Sequence, residues 1–149
     1  MAIRKNILIW YWGRFGAAQR YTYELVRELI KINIKKKKFN LYFSFSNNAE
    51  LSFLYKKLSI KKYSISTFES SAEAVIKTLV LAKLRKNFFS MLTKNKIDTI
   101  FCPMFHYWNP YFSSKFKEMN IKYIFGIHDY DLHSGENNFI KKKIYEKEK

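Results

Sequence analysis

Apolar runs and amphipathic stretches alternate along this chain. Residues 6–12, NILIWYW, form an unbroken apolar run that stops at Gly13. Such a run predicts a strand buried on both faces. Residues 17–33 then place Tyr21, Leu25, Leu29 and Ile32 at helical spacing, with Gln19, Arg20, Arg27 and Glu28 on the polar side. After the lysine run at 35–38, FNLYFSFS (39–46) predicts a second strand, and 47–58 a helix with asparagine N-cap candidates. KKYSIS (61–66) predicts a short third strand. The longest helical pattern covers 70–95, opened by Ser70 or Ser71 with Glu73 in a loose capping box. DTIFC (98–102) predicts a fourth strand stopped by Pro103, and 110–119 a short helix opened by Pro110. KYIFGIH (122–128) predicts a fifth strand, and the charged segment from Asn137 the start of a last helix.

Strand and helix alternate over the whole length. That predicts parallel pairing with right-handed crossovers. The expected fold is α/β: a doubly wound, mainly parallel sheet of about five strands in a single domain, 1–149, with no internal repeat and no Gly/Ser linker. Ligands of open α/β sheets bind outside the carboxyl ends of the strands. Three loops are expected there: GRFGAAQ (13–19), PMFHYWNP (103–110) and HDYDLHSGE (128–136).

Composition narrows the function classes. The 149 residues are 48% hydrophobic and 19% aromatic, which describes a globular chain. The single cysteine, Cys102, excludes an internal disulfide and fits a reducing compartment. The formal charge is +16, but only five of the 28 basic residues are arginine. Dedicated phosphate and base readers recruit the planar arginine fork, so no specific nucleic-acid partner is expected. A lysine-rich surface does adhere to anionic lipid head groups, at about 1 kcal/mol per basic residue near the surface. No apolar run approaches the roughly 20 residues of a membrane span. The apolar core at 7–12 is also shorter than the roughly 7–15 residues of a signal h-region. A cytoplasmic location is expected, with at most peripheral contact at the inner face of the membrane.

Each loop has a functional and a structural reading. Gly13 and Gly16 lead into a helix, where backbone N–H groups can approach a phosphate, and Arg14 and Arg20 flank them. A dinucleotide fingerprint is incomplete here, and the second strand ends FSFS with no acid for a ribose, so a nicotinamide cofactor is not expected. The alternative is a tight strand–helix turn without a ligand. In PMFHYWNP, aromatic faces around His106, Trp108 and Asn109 suit a sugar ring; equally, the loop could serve only for packing. The segment after the fifth strand gathers two of three Asp and two of three His: His128, Asp129, Asp131 and His133, with Glu136 beside them. The order H-D-x-D-x-H lacks a second His/Cys cluster to complete a coordination shell, so no metal is expected. Asp129 or Asp131 could instead cap a turn, and Ser134 or Asn137 a helix.

ILIWYWGRFGAAQRYTYELVREL, followed in order by PMFHYWNP and FGIHDYDLHSGE, resembles the N-terminal half of a bacterial glycosyltransferase of the GT-B fold, of the retaining, nucleotide-sugar-dependent kind that builds surface polysaccharides. The resemblance implies two Rossmann-like domains facing each other across a cleft. The N-terminal one would hold a sugar or lipid-linked acceptor. Gly13, Arg14, Gly16 and Arg20 would lie near the donor diphosphate. His128 would meet the donor sugar and carry the catalytic contact, while Asp129, Asp131, His133 and Glu136 would shape the loop. No cofactor is implied, since the nucleotide sugar is a substrate. This chain has Ala17–Ala18 where such enzymes often carry a further glycine. The paired-glutamate motif of the donor-binding domain has no counterpart in residues 1–149. The resemblance therefore implies a chain inactive alone, completed by a C-terminal donor domain in cis or in trans. A different class also fits the composition: a non-catalytic α/β module attaching to anionic membrane or nucleic acid through its lysines.

Overall fold

A computed structural model describes residues 4–36, 38–79 and 81–126. Ten elements follow in order: β1 (Lys5–Tyr11), α1 (Ala17–Lys36), β2 (Phe39–Ser46), α2 (Ser52–Lys57), β3 (Lys61–Ile65), α3 (Ser71–Leu79), α4 (Leu81–Lys94), β4 (Thr99–Cys102), α5 (Asn109–Ser113) and β5 (Lys122–Phe125). The strands form one sheet in the order β3-β2-β1-β4-β5. All four pairings are parallel. The expected α/β fold, a Rossmann-like single sheet flanked by helices, is thus the observed one.

The period-two alternation of a strand divides the core in two. Leu8, Trp10 and Trp12 point to one face, where Phe88 and Leu92 of α4 and Phe112 of α5 cover them. Ile9 and Tyr11 point to the other, against Val26 of α1 and Tyr55 of α2. The register brings Trp10 beside Ser44 and Ile9 beside Phe43. The small Ser44 leaves room on the indole face, and its Oγ accepts a hydrogen bond from Trp12 Nε1 at 2.9 Å. Trp10 sits 5.1 Å from Trp12 in an edge-to-face pair and 5.4–5.8 Å from Phe88, Phe112 and Phe116. These are separations at which aromatic quadrupoles attract.

Several expected details change. The pattern at 70–95 is two helices, α3 and α4; no Pro or Gly marks the division, so periodicity does not reveal it. The helix expected at 47–58 shortens to Ser52–Lys57. Asn48 does not cap it: its Nδ2 donates to Thr67 O at 3.2 Å and to Glu69 Oε1 at 3.0 Å. The buried face of α1 is also rotated from the expected one. Gln19, assigned to the polar side, is 1% exposed, whereas Tyr21 and Ile32 are 44% and 46% exposed. Burial of Gln19 is tolerated because its amide is bonded at both ends, to Glu50 Oε2 and to Leu51 N–H. The capping box at α3 is half formed: Ser70 Oγ accepts from Glu73 N–H at 3.2 Å, but the Glu73 carboxylate reaches one residue past the cap, to Glu69 N–H at 2.5 Å.

The two indoles of β1 make a controlled comparison. Both are buried, but Trp10 Nε1 has no hydrogen-bond partner among the described residues. Trp12→Phe loses a hydrogen bond and strands Ser44, whereas Trp10→Phe removes an unsatisfied donor. Urea unfolding should show Trp12→Phe less stable than Trp10→Phe by about 1 kcal/mol or more. Equal midpoints would contradict this account of the two N–H groups.

Candidate functional site

At the carboxyl ends of β1, β3 and β4 the structure forms an open cavity of about 490 Å³, walled by residues 12–15, 68–70 and 104–107. It lies where the sheet order turns, between β1 and β4. This is the position at which crossovers run in opposite directions and leave a crevice.

The first wall is the glycine loop. Gly16 has φ +81° with open space around its α-carbon, a left-handed conformation that costs a side chain roughly 1–2 kcal/mol. Gly13 is required by contact instead: a Cβ there would sit 2.6 Å from the Tyr11 ring carbon Cζ. The loop is anchored from below by α1 and the segment after β2. Arg14 O accepts from Glu50 N–H at 3.1 Å, and Gly16 O from Gln19 N–H at 3.2 Å. Gln19 O accepts from the Tyr55 hydroxyl at 3.0 Å. Gln19, Glu50 and Tyr55 are site-supporting residues that periodicity did not identify. A polar residue in the first turn after a glycine loop was their one sequence signal.

Arg14 joins the first wall to the second. Its Nη1 donates to Phe68 O, and its guanidinium carbon lies 4.3 Å from the Phe15 ring centre. Its Nε is buried and has no partner among the described residues. Glu69 on the second wall is engaged by Asn48. Glu73, just inside α3, is held below the usual carboxylate range by Lys77, then by the Glu69 N–H, with Arg14 adding a smaller effect.

The third wall is the aromatic loop. His106 is 7% exposed and lies against Phe68, Trp12 and Trp108, with ring centres at 5.4, 6.2 and 5.5 Å. Its Nδ1 accepts from Trp108 N–H at 3.2 Å, so the neutral ring carries its proton on Nε2. Burial pushes the imidazole down to about 3. His106 is therefore a neutral hydrogen-bonding group across the physiological range, not a proton shuttle. Trp108 and Asn109 do not face the cavity. Trp108 is buried with Nε1 bonded to Thr78 Oγ1 at 3.0 Å. Asn109 is buried with Nδ2 bonded to Cys102 Sγ at 2.9 Å. They hold the loop from behind.

The structure thus brings Gly13, Arg14 and His106 to one cavity, while Gly16 turns the chain just beyond its wall and does not line it. Arg20 does not join them: it pairs with Glu24 at 3.3 Å on the surface of α1. Trp12, with Trp108, belongs to the core. His128, Asp129, Asp131, His133 and Glu136 lie outside the described residues, as does the helix expected from Asn137. Among the described residues no group of three or more His, Cys, Asp or Glu could hold a metal ion. No helix among them is long and apolar enough to cross a membrane. No protein-family profile, curated protein or solved structure matches this chain.

The buried imidazole ties stability to pH. Its folded value lies below the ordinary 6.5. Above 6.5 neither state binds the proton. As pH falls from 6.5 toward 3, the unfolded chain takes a proton that the folded chain refuses, and stability is lost. Between pH 7.5 and 5 this contribution amounts to about 2 kcal/mol. Denaturant titrations at the two pH values should show His106→Gln less pH-sensitive than the unaltered chain by that amount. Parallel pH profiles would mean that His106 takes up protons freely.

Proposed function

We propose that this chain is the acceptor-side domain of a glycosyltransferase that uses a nucleotide-sugar donor in surface polysaccharide or glycolipid synthesis, and that turnover requires a donor-binding domain in cis or in trans. The observation that carries the reading is the cavity at the turn of the sheet, where a glycine loop entering a helix, an arginine and aromatic walls converge. Each component suits a part of the reaction. Departure of the nucleotide develops negative charge on the diphosphate. Loop N–H groups and the Arg14 guanidinium would offset that charge in a partly enclosed space. The rings of Phe15 and Tyr107, 59% and 42% exposed, offer faces on which a sugar can lie. His106 offers a neutral donor for a hydroxyl. In this reading His128 makes the contact with the donor sugar.

Two variants probe the two ends of the site. Isothermal titration of the chain with a nucleoside diphosphate should give a binding isotherm that Arg14→Gln weakens by about tenfold or more, the size of one charged hydrogen bond. Absence of binding, or equal binding by the variant, would remove the diphosphate from this cavity. Once a donor domain is supplied, His128→Ala should lower turnover by about a hundredfold, as does loss of one transition-state donor, and His133→Ala much less. Near-normal turnover of His128→Ala would move the chemistry to another residue.

A further inference from the structure

Helix α3 is inside out. Its polar residues turn to the body of the protein: Lys77 pairs with Glu73 at 2.6 Å and donates to Thr67 O at 2.8 Å, and Thr78 Oγ1 accepts from Trp108 Nε1. Its apolar residues turn to water. Val75, Ile76 and Leu79 are 66%, 64% and 81% exposed, and Ala72 is exposed with them. Positions 72, 75, 76 and 79 make one stripe along a helix. The next helix adds charge. α4 buries Leu81, Phe88 and Leu92 and leaves Lys83, Lys86 and Lys94 exposed. Between residues 74 and 97 the sequence has six cations and no acid. Lys77 is paired with Glu73, and the other five cations, all from α4 onward, have no acid among residues 81–97, so the apolar stripe adjoins a basic face.

We propose that α3 and the outward face of α4 form a docking surface for an anionic lipid bilayer. Val75, Ile76 and Leu79 enter the boundary between head groups and acyl chains, and the α4 lysines meet lipid phosphates. Charge selects this occupant. A second copy would bring its own +16 charge to the contact. Size argues the same way. A nine-residue helix is only about 13 Å long, and its stripe falls well short of the roughly 1,200–2,000 Å² that a stable protein interface buries. A bilayer needs no matching surface and accepts a few apolar side chains backed by cations. Ser70, which caps α3, is also on the cavity wall. Docking would therefore hold the cavity beside the head-group layer. The proposal stands on the helix and does not rest on the glycosyltransferase reading.

The test is co-sedimentation of the full chain with vesicles of mixed phosphatidylglycerol and phosphatidylcholine, and with phosphatidylcholine alone. The chain should partition to the mixed vesicles and much less to the neutral ones. Ile76→Ser/Leu79→Ser and Lys83→Gln/Lys86→Gln should each weaken that partitioning about tenfold. Their thermal midpoints should match the unaltered chain, because all four side chains are exposed. Undiminished binding by the serine variant would assign adhesion to lysines alone and overturn the docking role of α3. So would absence of binding to the mixed vesicles. A dimer in solution that the serine variant dissociates would assign the stripe to a second copy instead.

Discussion

A strand in the middle of a parallel sheet has no side that water reaches, so every residue along it must find a packing partner above or below. β1 meets this demand with its largest side chains. Two indoles fill one face, and Ile9 with Tyr11 fill the other. The neighbours are shaped around that choice. β2 places Ser44 and Ser46 on the indole face and Phe43 and Phe45 on the opposite one. Phe88, Phe112 and Phe116 close over Trp10 from residues after β3. The glycine loop inherits its position from this strand, because Trp12 at its root is held by packing and by Ser44.

The sheet was legible in the sequence because its central strands are short, apolar and β-branched or aromatic. The second strand matches residue for residue at Phe39–Ser46, and the first is displaced by one. Side-chain orientation on the helices was less legible. Periodicity ranks faces by apolarity, and in α1 and α3 tertiary bonds override the ranking. Gln19 is internal because Glu50 and Leu51 meet its amide. Thr78 turns inward because Trp108 supplies a donor. All three partners lie some thirty residues away in sequence, beyond the reach of a helical pattern.

For the cavity, the sequence located the loops, and the strand order brought two of them together. What it did not separate was lining from support. His106, Trp108 and Asn109 sit within four residues of one another, yet only His106 borders the cavity. Trp108 and Asn109 are held inward instead by hydrogen bonds to Thr78 Oγ1 and Cys102 Sγ. Arg14 likewise gains its place from a carbonyl on a distant loop, Phe68 O. The third predicted loop, with His128, lies outside the described residues.

The strand order carries a consequence for the growing chain on the ribosome. β1 can pair with β2 as soon as residue 46 is made, but its other edge belongs to β4, and the Asn6–Asp98 bond spans 92 residues. At about 5–20 residues per second, the stretch from residue 46 to residue 98 takes roughly 3–10 s to make. Throughout that interval the indole-bearing strand has one open edge and one uncovered face. Open edges of apolar strands recruit other chains. The central position that buries Leu8 to Tyr11 in the finished protein thus leaves them uncovered during synthesis, when chaperones that shield apolar segments can act on them.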